Sequence, residues 1–201
     1  PTARSCVECH RTSATWGMGS ANFRLARQLA FVADERGMEV VALERTELAR
    51  SAPLAKLPLA GLVDLVVQED PLQGHAHHVY AAEGGHGIHV IDVSAPSAPR
   101  LVTFVACTNP RGIELAGQYL YVADGEAGLK IFDVAKPEEI RLVGQLPTVD
   151  ACDIEVRWPW AYVADGRAGL CLVDVRAPMA PGFLAECDLV GGSRFGNQAI
   201  A

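Results

Sequence analysis

Short runs of alternating apolar and polar residues recur along most of this chain. One copy, residues 120 to 134, reads LYVADGEAGLKIFDV: an apolar run, a glycine-containing turn, and an alternating run that ends in Asp-Val. Similar segments occupy residues 79 to 93 and 161 to 175, so successive copies are offset by about 41 residues. A degenerate fourth copy runs from Phe23 to Leu43. Self-similarity at a period of about 40 residues predicts a propeller or a solenoid.

Each copy divides into four short strands. In the best-defined copy, Ile113–Leu115 is the first strand and the segment around Tyr121 is the second. An Asp-Gly turn follows, whose glycines supply positive φ, and then the alternating strand Leu129–Val134. A proline-containing break precedes the last strand, Arg141–Leu146. We therefore expect an all-β protein of about four propeller blades, each with four antiparallel strands.

The repeated string Tyr-Val-Ala-Asp-Gly-x-x-Gly-Leu-x-Ile/Leu-x-Asp-Val resembles the LVIVD repeat of bacterial and archaeal β-propellers. The resemblance covers roughly residues 22 to 201. Copies over 113–153 and 154–190 match well, whereas the copy at 79–93 has Glu-Gly-Gly-His in place of Asp-Gly-x-Ala. The resemblance implies the fold but little about function, because propellers serve many tasks. It also implies roughly six to eight blades, so four copies predict an incomplete ring that further segments or subunits complete; a closed four-bladed ring is the alternative.

A different motif, Cys6-Val7-Glu8-Cys9-His10, precedes the repeats. C-x-x-C-H is the attachment pattern of covalent haem, since two thiols at this spacing can bond both vinyl groups and the next histidine can bind the iron. We predict haem c, with Cys6 and Cys9 as the thioether residues and His10 as an axial iron ligand. A zinc half-site, a redox pair and a disulfide are the alternatives. The usual zinc site needs a second ligand pair, and no second C-x-x-C or H-x3-5-H occurs.

A low-spin haem iron needs a second axial ligand, usually His or Met. His75, His77 and His78 are the first candidates, and Met18 is another. Trp16 is expected to pack on the haem. The competing interpretation of the three clustered histidines is a solvated surface loop.

The position of these histidines in the repeat makes them unusual. Aligning residues 64–67 with residues 153–156 places the histidines in an insertion of about eight residues between two strands of one blade. Three clustered histidines in an extra loop are unusual for a mere connection. One of them is therefore a candidate sixth ligand of this haem, or of another haem outside the segment, and a solvated loop with surface histidines is the alternative.

Composition narrows the choice of partner and location. The formal net charge is −7 and no basic block occurs, which argues against nucleic acid as a partner. No apolar run is long enough to predict a membrane span or a signal peptide. Because haem c is attached on the far side of a membrane, we expect secretion across a bacterial or archaeal membrane to the periplasm, the cell surface or the extracellular space.

Four cysteines lie outside the haem motif: Cys107, Cys152, Cys171 and Cys187. An oxidising compartment would allow them to pair. Four thiols have three possible connectivities, and the sequence does not choose among them.

These observations divide the chain into a haem-attachment segment, residues 1–21, and the propeller blades, residues 22–201. We expect the first segment to be the end of a larger upstream part. The predicted function is electron transfer by a haem c docked on a propeller scaffold, within a larger or multihaem cytochrome. A redox partner protein or neighbouring haems would exchange the electrons. We favour an electron carrier over a catalyst; a haem-dependent reductase or peroxidase-type enzyme and a cell-surface interaction scaffold without haem are the alternatives.

Overall fold

The computed structural model describes residues 22–26, 29–34, 36–42, 53–69, 75–188 and 192–195. Apart from a 3-10 turn at Gly166–Ala168, the regular structure in these residues is β-strand. None of them forms a helix long and apolar enough to cross a membrane. The prediction of an all-β protein is therefore confirmed.

The strands form four antiparallel sheets, which we number as blades 1 to 4 in chain order. Blade 1 comprises β1 (Asn22–Ala26), β2 (Leu29–Asp34), β3 (Gly37–Ala42) and β4 (Pro53–Leu57). Blade 2 comprises β5 (Leu62–Glu69), β6 (Ala76–Glu83), β7 (Gly87–Asp92) and β8 (Arg100–Ala106). Blade 3 comprises β9 (Gly112–Ala116), β10 (Tyr119–Ala123), β11 (Leu129–Asp133) and β12 (Arg141–Leu146). Blade 4 comprises β13 (Asp153–Arg157), β14 (Trp160–Ala164), β15 (Leu170–Asp174), β16 (Gly182–Asp188) and β17 (Gly192–Phe195).

Each blade is a meander in which every strand pairs with the next one along the chain. Blade 4 differs from the expected four strands because β17 pairs with β16 and adds a fifth. The first strands of the blades, β1, β5, β9 and β13, contact one another in succession. They are therefore the innermost strands, as the propeller arrangement requires.

Both faces of the middle blades are buried, which explains their continuous apolar runs. On β6 of blade 2, Val79 and Ala81 pack into a cluster with residues of blade 1. The alternate residues, Tyr80 and Ala82, pack into a cluster with residues of blade 3. All four are fully buried. A strand that is buried on both faces has no polar side. Its alternation is seen only because successive residues pack against different neighbouring blades.

Aspartates at the ends of the third strands shape the following turns. The Oδ1 atoms of Asp92, Asp133 and Asp174 each accept a hydrogen bond from the backbone N–H two residues later, at 2.9, 2.9 and 3.0 Å. These three residues occupy the Asp of the repeated Asp-Val. They act as turn-forming residues at the break before the last strand of each blade.

A glycine allows the inner strands of blades 3 and 4 to approach closely. A Cβ added at Gly112 would lie 2.7 Å from Asp153 Oδ1 and 2.8 Å from Asp153 Cα. At Gly182, in contrast, the nearest atom to an added Cβ is 3.8 Å away, and no positive φ restricts the position. The two glycines therefore form a matched pair for testing how tightly the blades pack.

We predict that Gly112→Ala lowers the free energy of unfolding by about 1–3 kcal/mol, because the new methyl group overpacks the interface between blades. Gly182→Ala should change it by less than about 0.5 kcal/mol. Chemical denaturation of both variants measures the difference. Equal effects would show that blades 3 and 4 do not approach each other in this way.

Candidate functional site

The histidine segment, which we define as residues 75–78, lies at the unusual connection of blade 2. Gln68 of β5 pairs with His78 of β6, and nine residues separate them along the chain. In blade 4 the corresponding pair, Arg157 and Trp160, is separated by two residues. The connection between the first two strands of blade 2 is therefore seven residues longer, at the place where the repeat alignment predicted an insertion.

The three histidines differ in their surroundings. His75 and His77 are exposed, whereas His78 is half-buried. The backbone carbonyl of His77 accepts a hydrogen bond from the N–H of Val93 at 2.9 Å, which fixes the chain at this point. Within the part of the chain that the structure describes, no three His, Cys, Asp or Glu side chains are grouped to hold a metal ion. The histidines can therefore each supply one ligand, but together they do not form a metal site.

The pKa of His78 is lowered from its usual value, chiefly because burial disfavours the imidazolium. The carboxylates of Asp92 and Glu138 act in the opposite direction, and the nearby His77 adds to the lowering. A neutral imidazole is the form that binds iron. The surroundings of His78 favour this neutral form.

Tyr80 lies two residues beyond His78, on the same face of β6. Its hydroxyl donates a hydrogen bond to Gln68 Oε1 at 3.1 Å. Burial, followed by the charge of Glu138, raises the pKa of Tyr80 to about 12. The hydroxyl therefore stays protonated at neutral pH and keeps its hydrogen bond to Gln68.

The other predicted haem residues cannot be placed. Cys6, Cys9 and His10, together with Trp16 and Met18, lie outside the described residues. Their roles remain predictions, and so does the division of the chain at residue 21.

The four remaining cysteines do not pair with one another. Cys107, Cys171 and Cys187 are free thiols, so no disulfide joins any two of the four. Cys171 faces the core between blades 3 and 4. Cys187 pairs across the sheet with Leu170, the neighbour of Cys171, and thus lies on the opposite face. Burial raises the pKa of Cys107 to about 12 and that of Cys171 to about 11, so both remain thiols at neutral pH.

The aspartate of the Asp-Gly turn links each blade to the chain segment that enters it. In blade 3, the fully buried Asp124 accepts backbone hydrogen bonds from Thr108 at 3.1 Å and Asn109 at 2.6 Å. Lys130 Nζ lies 2.5 Å from Asp124 Oδ2. Asp165, the corresponding residue of blade 4, accepts the same pair of bonds from residues 149 and 150 at 2.9 and 2.7 Å. These carboxylates hold the interblade segments in place.

The departure of blade 2 from the repeat has a structural counterpart. Glu83 occupies the position of Asp124, and His89 occupies that of Lys130, each one repeat earlier. His89 is 8% exposed; its Nε2 lies 2.7 Å from Glu83 Oε2, and its ring packs against Phe104. Glu83 and His89 thus form an acid–base pair in blade 2 at the positions that Asp124 and Lys130 occupy in blade 3. The repeat offset aligns both positions, but it does not indicate that their side chains meet.

The sequence model of the LVIVD repeat matches residues 77–106, 109–148 and 150–188, more than half of the chain. The chain belongs to the LVIVD-repeat family. The three matched segments coincide with most of blade 2 and with blades 3 and 4. No curated protein sequence matches this LVIVD-repeat chain.

Solved structures similar to this LVIVD-repeat protein share its fold at low sequence identity. A chain in the crystal structure of a nidogen/laminin complex is 16% identical, with a TM-score of 0.56, over 80% of this chain and 61% of that chain. The computationally designed Ika4 protein is 8% identical, with a TM-score of 0.59, over 80% and 94% of the two chains. Apo AztD from Citrobacter koseri is 15% identical, with a TM-score of 0.57, over 87% and 48%. The LVIVD-repeat chain therefore spans less than two thirds of the nidogen/laminin chain and about half of the AztD chain, and these likenesses concern the fold alone.

We predict that Asp124→Ala lowers the free energy of unfolding by about 3–5 kcal/mol, because it leaves a largely buried lysine and two backbone N–H groups without their partner. Asp165→Ala should cost about 1–3 kcal/mol, since Cys171 stands where blade 3 has Lys130. Asp133→Ala, which removes one bond at a strand end, should cost less than about 1.5 kcal/mol. Urea denaturation gives the three values, and any other ranking would contradict the assigned roles.

A second prediction concerns pH. Because the folded-state pKa of His78 is depressed, folded protein binds fewer protons than unfolded protein below about pH 6.5, and stability falls as the pH falls through that range. His78→Tyr restores the aromatic type found at the corresponding position 119 of blade 3 and removes the titration. We expect this variant to lose less unfolding free energy than the wild type between about pH 7 and pH 5. His86→Gln, at an exposed turn, is the control; identical pH profiles for wild type and His78→Tyr would contradict the prediction.

Proposed function

We propose that this LVIVD-repeat protein transfers electrons through a haem c bound covalently by Cys6 and Cys9, with His10 as an axial iron ligand. The observation that carries the proposal is the C-x-x-C-H sequence that precedes the blades. When bound, haem c supplies a one-electron couple between ferrous and ferric iron. The residues of the motif would hold the group, and the blades would serve as a docking platform.

The described histidines fit the remaining requirement of such a haem, one further axial ligand. His78 is half-buried and its surroundings favour the neutral imidazole, whereas His75 and His77 are exposed at the same connection. Since a haem needs a single sixth ligand, the lack of a three-residue metal cluster among the described residues is compatible with this role. We favour His78 over His75 and His77 as the ligand, with Met18 as the alternative from outside the segment.

The proposal includes a location and a class of partner. Haem c is attached outside the cytoplasm, so we place the protein in the periplasm or at the cell surface. Its electron partners would be a redox protein or neighbouring haems in a larger cytochrome. The net charge of −7 favours partners with a complementary basic surface, since opposite charges speed encounter.

The absorption spectrum of protein made in a host that matures haem c tests the proposal. We expect a sharp band at about 550 nm on reduction and haem that stays attached on a denaturing gel. Cys6→Ser with Cys9→Ser should abolish both signals without unfolding the blades. Wild-type protein that carries no haem would contradict the proposal and leave an interaction scaffold as the function.

The sixth ligand is tested in the same protein. We expect His78→Ala to convert a low-spin spectrum to a high-spin one, whereas His86→Ala, an exposed histidine at the other end of blade 2, should leave it unchanged. An unchanged spectrum in His78→Ala would exclude this residue as ligand. Cyanide binding by the resting wild type would indicate an open sixth position and favour a reductase or peroxidase-type enzyme.

A further inference from the structure

Blade 4 carries two strongly exposed apolar side chains at one of its ends. Trp158 is 75% exposed and Met179 is 76% exposed, whereas the next large apolar side chain among the described residues, Leu101, is 50% exposed. Trp158 lies between β13 and β14, and Met179 lies between β15 and β16. Both connections are at the same end of the antiparallel meander, and the N–H of Val175 donates a hydrogen bond to the Pro159 carbonyl at 3.0 Å between them. We call Trp158 and Met179 the tip pair.

The internal repeat shows that the blade architecture does not require the tip pair. One repeat earlier, in blade 3, Gly117 and Glu138 occupy the two positions. Blade 4 thus replaces a glycine and a carboxylate with large apolar side chains that stay in solvent. Exposed apolar residues that are scattered singly need no explanation, but two at one end of a blade, where the repeat has none, indicate a binding surface.

The charges at this end of blade 4 also differ from those of blade 3. Two arginines stand where blade 3 has alanines: Arg157 for Ala116 and Arg176 for Ala135. Each arginine is exposed and pairs with a carboxylate, Glu155 or Asp174. A guanidinium group carries five N–H donors, so these pairs leave donors that can bind a phosphate group. The tip pair is therefore flanked by two phosphate-binding side chains.

A lipid bilayer suits this surface better than a protein partner does. A specific protein interface takes about 20–30 residues from each side, far more than two side chains that project from separate connections. Binding at a membrane interface needs only a few apolar side chains at the boundary of the acyl chains, with cations among the headgroups. Tryptophan is enriched at that depth, and arginine extends its guanidinium group toward the phosphates.

We propose that this end of blade 4 binds the surface of an anionic phospholipid bilayer, with the tip pair inserted and with Arg157 and Arg176 at the phosphate groups. The net charge of −7 repels the chain as a whole from such a surface, so approach is favoured through an end that bears arginines. Further blades pack on the faces of the sheets and leave the ends of the strands accessible, whatever the number of blades. The proposal does not depend on haem.

Co-sedimentation with lipid vesicles tests the proposal. The wild type should bind vesicles of equal parts phosphatidylglycerol and phosphatidylcholine more strongly than vesicles of phosphatidylcholine alone. Trp158→Ser should lower the partition coefficient about tenfold, because it removes the largest inserted side chain. Met179→Glu, which installs the residue found in blade 3, should also weaken binding. Val149→Glu is the matched control, since Val149 is a 49% exposed valine at the opposite, Asp-Gly end of blade 4; it should bind as the wild type does.

A double variant tests the role of the arginines. Arg157→Gln with Arg176→Gln should remove the preference for anionic vesicles, and circular dichroism checks that every variant remains folded. A wild type that stays in the supernatant with both kinds of vesicle overturns the proposal and leaves a protein as the partner of the tip pair. Equal binding by the wild type and by folded Trp158→Ser also overturns it, because another part of the chain would then hold the membrane.

Discussion

The requirement that each blade be covered on both faces determines the rest of this structure. A blade of four short strands has no core of its own, and its stability comes from the apolar area that it shares with the neighbouring blades. Tyr80 and Val79 are neighbours in sequence but belong to different interblade clusters. One sheet thus contributes to two cores.

Polar contacts at the interfaces follow from the same requirement. The inner strands of blades 2 and 3 approach so closely that Asp64 Oδ2 accepts a hydrogen bond from the buried N–H of Ile113 at 3.0 Å. Asp124 similarly satisfies the segment that passes from blade 2 to blade 3. Buried backbone groups that leave one sheet to enter the next need partners, and aspartates at fixed repeat positions provide them. Asp64 and Asp124 therefore maintain the fold between blades 2 and 3.

The candidate ligand residues lie where packing between blades does not constrain the choice of residue. The β5–β6 connection and the Asp-Gly turns lie at opposite ends of the antiparallel blades. The Asp-Gly end joins successive blades, and in blades 3 and 4 its aspartate holds the segment that enters the blade. The β5–β6 connection is free to lengthen, and it carries the histidine segment in blade 2. An insertion at this end can add a ligand without disturbing either interblade core.

The sequence was sufficient to predict the strands, because the constant offset between copies and the turn glycines fix their order and spacing. It was also sufficient to place the insertion in blade 2, but not to show that His78 lies beyond it, in β6 and paired with Gln68. It could not predict that Glu83 meets His89, since both positions differ from the repeat and only the folded turn brings them together. Nor could it predict that Cys171 and Cys187 stay unpaired, because residues on adjacent strands can point to opposite faces of a sheet. Side-chain partners depend on the register between strands and blades, which the repeat length alone does not determine.

The central functional claim is covalent haem at the motif that precedes the blades, and peptide mass spectrometry tests it most directly. Cleavage after Arg4 and Arg11 releases the peptide Ser5–Arg11, which contains Cys6, Cys9 and His10. The account predicts that this peptide, from protein matured with haem c, carries the added mass of one haem. Recovery of the same peptide without haem from fully matured protein would contradict it.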